Sequence, residues 1–217
     1  EITSMIGEEK NFVIIDRNYP DIDVDQVYSD NEQGAYDAVE HLIEYGHEKI
    51  GLVLGPTNIP SIKERLEGYK AALRDNNLEV GEDYIVKSGL EVEGAYICTG
   101  KLLKNNPELT AIFSTNNVAT QGVFHYFKDK NIQCPQNIAL IGFDDPPWAK
   151  LVQPTISSVA QKPYTMGYRA AEVLFERIEE DQKKYKFVEL STKLVMREST
   201  TGIDKNLVTV KHSEKEV

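Results

Sequence analysis

The chain has 217 residues, enough to bury one or two hydrophobic cores. Its residues are 41% hydrophobic and 27% charged, which is typical of a globular protein that folds in water, and no apolar run approaches the roughly 20 residues of a membrane-spanning helix. The formal net charge of −11 argues against a segment that grips a phosphate backbone, because nucleic-acid affinity comes largely from Lys and Arg.

Short apolar runs alternate with segments of helical periodicity from Phe12 to Phe143. This alternation predicts parallel strands joined by crossover helices. The predicted strands are 12–15, 50–54, 84–86, 111–114 and 138–143. The predicted helices run from Asn31 up to Gly46 and over 61–76, 94–104 and 117–129. The fold class expected from this order is α/β.

Beyond Pro154 the pattern changes. Residues 156–159 predict an extended segment, and a long amphipathic helix that carries Met166, Ala170 and Val173 follows it. Residues 188–196 alternate between apolar and polar side chains, which predicts one strand with a single covered face. Residues 201–217 are polar and predict a frayed tail.

Polar residues follow each of the five predicted parallel strands. Ligands of open α/β sheets bind beyond these carboxyl ends. The positions concerned are Asp16-Arg17, 56–65, 88–90, 115–117 and Asp144-Asp145. Carboxylates accept pairs of hydrogen bonds, Arg donates a rigid fork and Asn does both, so this set suits a ligand with vicinal hydroxyl groups. The sequence therefore predicts a site for a sugar-like molecule.

Catalytic, metal and cofactor chemistry lacks support in the sequence. Asp144 and Asp145 are neighbours that should leave their strand in opposite directions, so we expect only one of them to face the crevice, unlike the carboxylate pair of a glycosidase. The four histidines have no metal spacing and no nucleophile beside them, and they are interpreted as surface or packing residues. No glycine-rich phosphate loop occurs, and Cys98 and Cys134 are interpreted as reduced packing residues. We expect no catalytic residue, no metal and no cofactor.

Eight short motifs occur in order between residues 11 and 200. They are 13–17, 30–31 with 34, 41–43 with 46, 47 and 50, 65–69 with 72 and 73, 110–113, 141–145, 154–156 and 197–200. Together they resemble the effector domains of LacI/GalR transcription regulators. The resemblance implies a periplasmic-binding-protein-like fold of type I, in which two doubly wound parallel-sheet subdomains form the α/β structure.

The resemblance also implies boundaries for these subdomains. Residues 1–29 and 161–191 would form the N-terminal subdomain, 30–160 and 192–200 the C-terminal subdomain, and 201–217 a polar tail. The chain would cross between the subdomains near Ser29-Asp30, 159–161 and Ser191-Thr192. The first subdomain would be incomplete at its N-terminus, because the family's opening strands and helices have no counterpart in this sequence.

The function implied by the resemblance is that of a cytoplasmic, homodimeric regulator. It would bind a sugar or sugar derivative between its subdomains and DNA through a headpiece that this chain lacks, with no membrane partner. The implied ligand-binding residues are Asp16, Arg17, Ser61, Arg65, Leu90, Asn116, Asp144 and Gln161. Arg65 would pair with an acidic group if the ligand carries one. Leu90 stands where many relatives have an aromatic residue, so the identity of the ligand is not inherited.

Two alternatives stay open at this point. An extracytoplasmic sugar-binding protein of a transporter shares the fold, although motifs 142–145 and 197–200 favour the regulator. An enzyme that acts on a sugar ranks third, because the sequence offers no acid, base or nucleophile constellation.

Overall fold

A computed structural model of the chain describes residues 11–179 and 184–201. The strands are β1 Val13–Ile15, β2 Asp25–Ser29, β3 Ile50–Leu54, β4 Ile85–Lys87, β5 Ala111–Ser114, β6 Ala139–Phe143, β7 Ser157–Ala160, β8 Phe187–Leu190 and β9 Lys193–Val195. The α-helices are α1 Asn31–Glu44, α2 Pro60–Asp75, α3 Val92–Asn105, α4 Asn117–Asp129, α5 Pro163–Glu179 and α6 Glu198–Thr201. Among these helices, none combines the length and the apolar character that a membrane span requires.

The larger sheet has the strand order β4-β3-β5-β6-β7-β9, parallel throughout except for the antiparallel pair β7 and β9. Its strands β3, β5 and β6 are buried along their whole length, because helices cover both faces. Leu52 and Leu54 face a core shared with α1 and α2, whereas Val53 between them faces a core shared with α3 and α4. This two-sided burial explains why these strands are continuous apolar runs.

The smaller sheet has the strand order β1-β2-β8, all parallel, and α5 packs against β1 and β2. Val27 at the middle of β2 is fully buried and forms a small core with Met166 and Val173 of α5. The chain passes between the two sheets three times: after β2, after β7 and between β8 and β9. Both sheets therefore contain segments that are distant in sequence.

The α/β class and the parallel strand order are confirmed. Strands β3 and β5 and helix α4 have the predicted bounds, and α1 ends before Gly46, whose φ of 90° is the left-handed conformation expected of a helix terminator.

One strand was missed, and one predicted strand was wrong. Strand β2 was not predicted, because Asp25 and Gln26 are buried polar residues that break the apolar pattern. Asp25 is held by Arg177 at 2.7 Å and Gln26 bonds the backbone of Tyr19. The single strand predicted over 188–196 is two strands, because β8 pairs with β2 while β9 pairs with β7 in the other sheet. The part of the predicted tail from residue 202 onward lies outside the described residues.

Candidate ligand-binding site

A cavity of about 480 Å³ lies between the two sheets, at the carboxyl ends of β1 and β6. The smaller sheet and α5 contribute Ile15, Asp16, Pro163, Met166 and Gly167, and the segment between β7 and α5 contributes Gln161. The larger sheet contributes Asn117, Asp144, Asp145 and Pro146. The volume falls within the range of about 300–1,000 Å³ that is usual for small-molecule sites.

The two strands that end at the cavity finish in the same way. Asp16 follows β1 with a φ of 66°, and Asp144 follows β6 with a φ of 75°. Each backbone N–H still donates to the neighbouring strand, to Val27 and Val159 respectively, both at 2.9 Å. Asp adopts this left-handed conformation more readily than most residues, but at some cost, and such strained positions cluster at functional sites.

Asp144 is connected to two of the segments that join the sheets. Its Oδ1 accepts a hydrogen bond from Gln161 Nε2 at 2.7 Å, and its Oδ2 accepts one from the backbone N–H of Asn117 at 3.2 Å. Gln161 Oε1 in turn accepts from Ser29 Oγ at 2.7 Å. Ser29 ends β2 and Gln161 follows β7, so these hydrogen bonds join Asp144 to two of the connections between the sheets.

Arg65 lies behind the cavity lining, with only 3% of its surface exposed. Its Nε and Nη2 donate to Asn31 Oδ1 at 2.9 and 2.8 Å, and its Nη1 donates to the Thr115 carbonyl at 2.8 Å. The guanidinium carbon lies 3.6 Å from the centroid of the Phe143 ring, a cation–π contact. Burial lowers the pKa of Arg65, and the carboxylate of Asp144 opposes this shift. The residue is thus a fixed positive charge behind the carboxylates.

Asn31 organises this region and was missed as a site residue. It is buried, and its Nδ2 donates to the Ser29 carbonyl at 2.9 Å and to Glu64 Oε2 at 2.8 Å. In the sequence, Asp30 and Asn31 belong to a family motif at the start of a predicted helix, and Asp30 caps α1 by accepting from Gln33 N at 2.9 Å. Arg65 was predicted as a ligand-binding residue and not as a buried one, so the sequence offered no reason to look for an acceptor such as Asn31.

The side-chain oxygen of Asn116 accepts a hydrogen bond, whereas its side-chain nitrogen has no hydrogen-bond partner among the described residues. Its Oδ1 caps α4 by accepting from the backbone of Ala119 at 2.8 Å. Its Nδ2 is buried and finds no hydrogen-bond partner in the described part of the chain. A Cβ at Gly55 would lie 2.7 Å from this nitrogen, so any larger residue there would displace the Asn116 amide. Because buried amide donors are normally satisfied, Asn116 Nδ2 is a candidate donor to a bound molecule.

The carboxylates Asp16, Asp144 and Asp145 have different surroundings. Burial raises the pKa of Asp16, and Arg65 lowers it in part. Asp145 accepts two hydrogen bonds from Arg197, at 2.7 and 2.8 Å, and this pairing lowers its pKa. Asp144 and Asp145 both border the cavity, contrary to the prediction that only one would, because the left-handed turn at Asp144 ends the strand alternation on which that prediction relied.

Residues 39–200 match the family model of the periplasmic binding protein-like domain. The chain belongs to this family, as a LacI/GalR effector-binding domain. It is 36% identical over 191 residues to the probable HTH-type transcriptional regulator EndR of Paenibacillus polymyxa, covering 87% of this chain and 55% of EndR. The chain thus spans little more than half the length of the curated relatives that it matches.

Solved structures of similar proteins have the same fold. A LacI-family regulatory protein from Chloroflexus aggregans has a TM-score of 0.84 at 29% identity, covering 91% of this chain and 71% of its own. A LacI-family regulator from Enterococcus faecium with bound ribose has a TM-score of 0.82 at 25% identity, covering 93% of this chain and 75% of its own.

Asp16, Asp144 and Gln161 line the cavity, whereas five of the eight residues assigned to the site of this LacI/GalR domain by resemblance do not: Arg65 and Asn116, described above, and Arg17, Leu90 and Ser61. Arg17 and Leu90 are exposed, and Ser61 is buried in the first turn of α2. Their contacts with a ligand stay predictions. Conversely, the apolar lining residues Ile15 and Met166 were not predicted, because apolar side chains at a strand end and on a helix are indistinguishable in sequence from core residues.

Proposed function

We propose that this chain is the ligand-sensing part of a LacI/GalR-type transcription regulator. In this proposal a small polyhydroxylated effector binds in the cavity between two subdomains and is not chemically changed. The subdomains would be residues 1–29 with 161–191 and residues 30–160 with 192–200. DNA would be bound by a headpiece outside this chain, and the regulator would act as a cytoplasmic homodimer.

One observation carries the proposal: a carboxylate from each sheet lines the cavity, and hydrogen bonds connect this lining to the segments that join the sheets. Asp16 directly follows a strand of the smaller sheet, and Asp144 directly follows a strand of the larger one. Gln161 links Asp144 to Ser29 across two of the connections. A ligand that bridges the two carboxylates would favour one relative orientation of the sheets, which is a hinge-type response.

The proposal of binding without catalysis is supported by how the lining carboxylates are held. Asp144 accepts from two amide groups, and Asp145 is paired with Arg197. The described residues that line the cavity include no Ser, Cys or Lys that could act as a nucleophile beside a base. The relatives named above are regulators, and the Enterococcus faecium protein holds ribose.

The test is a thermal-shift screen of the purified chain against ribose, cellobiose, glucose and other uncharged saccharides. A ligand at 100 times its Kd stabilises the folded state by about 2.7 kcal/mol, which raises the Tm of a protein of this size by about 5–11 °C. Trp148, the single tryptophan, donates from Nε1 to Asn117 Oδ1 at 2.8 Å, so its fluorescence should respond to a ligand that contacts Asn117.

Variants of the lining carboxylates then test the position of the site. We expect Asp16→Ala and Asp144→Ala to weaken the binding of a saccharide found in the screen at least tenfold by calorimetry. The matched control is Asp23→Ala, which removes an exposed carboxylate that does not line the cavity. Unchanged affinity in both cavity variants would overturn the proposed site, and the absence of any saccharide response would overturn the proposed class of ligand.

A further inference from the structure

Asn117, the first residue of α4, is held through two of its polar atoms. Its backbone N–H donates to Asp144 Oδ2 at 3.2 Å, and its side-chain Oδ1 accepts from Trp148 Nε1 at 2.8 Å. The indole N–H of tryptophan can only donate, so the amide atom that faces it is the oxygen and not the nitrogen. The hydrogen bond with Trp148 therefore fixes the orientation of the Asn117 amide.

The nitrogen of this amide remains available to a bound molecule. Asn117 lines the cavity and is half-buried. Its Nδ2 makes no hydrogen bond within residues 11–179 and 184–201, and, unlike Asn116 Nδ2, it is open to solvent. Because the oxygen and the nitrogen occupy opposite arms of the planar amide, Nδ2 is directed away from the indole. Asn117 can thus donate its N–H groups towards the cavity.

Trp148 does not line the cavity and is held by apolar packing. It lies in the short 3₁₀ helix Pro147–Lys150 and packs, partly buried, against the core that the larger sheet shares with α3 and α4. Its ring centroid is 6.4 Å from that of Phe124, in α4. The indole is therefore a fixed donor that acts on Asn117 without lining the cavity itself.

We propose that Asn117 is a specificity-determining residue of the cavity and that Trp148 is the positioning residue that orients it. The inference rests on the proposed function and adds two residues to its site. Asp144, whose carboxylate bonds the Asn117 backbone, can only accept hydrogen bonds when ionised, whereas the Asn117 side chain offers N–H groups. A bound molecule is therefore selected for an oxygen that accepts at Asn117 beside a hydroxyl group that donates to Asp144. Without the indole N–H, the amide could rotate and present its oxygen instead, and this selection would be lost.

A double-mutant cycle tests whether Trp148 acts through Asn117. Affinities are measured by calorimetry on the whole chain, with each of ribose, glucose, cellobiose and the other screened saccharides that binds the unchanged protein. Asn117→Ala should weaken binding about tenfold and Trp148→Phe about three- to tenfold, which is the scale of one hydrogen bond. The double variant should bind no more weakly than Asn117→Ala, because the indole has no effect once the amide is absent. Two losses that simply multiply would overturn the positioning role.

Asn117→Asp separates the donor from the packing. It keeps an acceptor for the indole but replaces the N–H groups with a second acceptor, so it should still weaken binding about tenfold. Trp148 is the only tryptophan of the chain, so a single indole N–H signal in a ¹H–¹⁵N spectrum reports its hydrogen bond. This signal should be protected from exchange with solvent in the unchanged protein and in Asn117→Asp, and should lose its protection in Asn117→Ala.

Tyr84→Phe is the matched control, because it removes an aromatic donor that bonds Glu108 at 2.8 Å and does not line the cavity. It should leave the affinity for every saccharide unchanged. An unchanged affinity in Asn117→Asp, or an unprotected indole signal in the unchanged protein, would overturn the inference and leave the proposed function standing. Failure of every screened saccharide to bind the unchanged protein would overturn the proposed function and the inference together.

Discussion

The replacement Asn31→Ala is the most direct test of how the site is held together. Asn31 is 2% exposed and makes four hydrogen bonds, three of which have a charged partner in Arg65 or Glu64. Hydrogen bonds to charged groups contribute about 1.5–3 kcal/mol each, but bonds that share one amide are not additive. Leaving a buried charge uncompensated costs about 3–5 kcal/mol. We therefore expect Asn31→Ala to lower the free energy of unfolding by about 3–5 kcal/mol.

Urea unfolding followed by circular dichroism measures this change, and a thermal melt should show a Tm lower by about 6–20 °C. The stability of Asn31→Asp should lie between those of the unchanged protein and Asn31→Ala. The aspartate keeps an acceptor for Arg65 but loses the donor to Glu64 and to the Ser29 carbonyl. The control is Gln33→Ala, which removes an exposed amide bonded to Asp37 and should change stability by less than about 0.5 kcal/mol. A loss in Asn31→Ala no larger than that of the control would refute the view that Asn31 holds Arg65.

Three further predictions concern packing, pH and thiol chemistry. Gly68→Ala should lower the free energy of unfolding in urea by about 1–3 kcal/mol or more, because the new Cβ would lie 2.1 Å from a backbone carbonyl oxygen of α1. Gly94→Ala is the control and should cause no such loss, because its Cβ would have no contact under 3.6 Å. Burial lowers the pKa of His47 from 6.5 to about 4. Because the unfolded state then binds a proton more readily, the free energy of unfolding is unaffected by this residue above pH 6.5 and falls by up to about 3 kcal/mol as the pH is lowered towards 4. His47→Gln should remove this part of the pH dependence of thermal melts. Burial raises the pKa of Cys134 to about 12, so a thiol reagent should modify only Cys98 in the folded protein and both cysteines in urea; rapid native labelling of Cys134 would contradict this.

Local patterns were sufficient for much of the fold. Strands β3 and β5 and helix α4 follow from continuous apolar runs and helical spacing, which depend only on neighbouring residues. The motifs between residues 11 and 200 predicted the family, and the match of the family model over residues 39–200 confirms it. The positions of Asp16 and Asp144 at strand ends could also be predicted, because the carboxyl ends of parallel strands lie at one edge of a sheet.

The contacts that shape the site could not be predicted in the same way. Asn31 and Arg65 are 34 residues apart, and nothing in the spacing of either residue specifies that they bond. Strand β2 was missed because Asp25 is buried against Arg177, which lies 152 residues away. The same holds for the division of 188–196 between two sheets, since each half is directed by a different partner strand.

The sequence alone thus determined the order of strands and helices apart from β2 and the division of 188–196, together with the polar residues that follow the strands, because periodicity and strand ends are local properties of the chain. The tertiary structure decided which of those polar groups face the cavity and which make their hydrogen bonds inside the protein. Arg65 is the clearest case: its residue type suggested a ligand for an acidic group, but burial on Phe143 and bonding to Asn31 make it a fixed charge behind the lining. Partnerships of this kind are set by packing between distant segments.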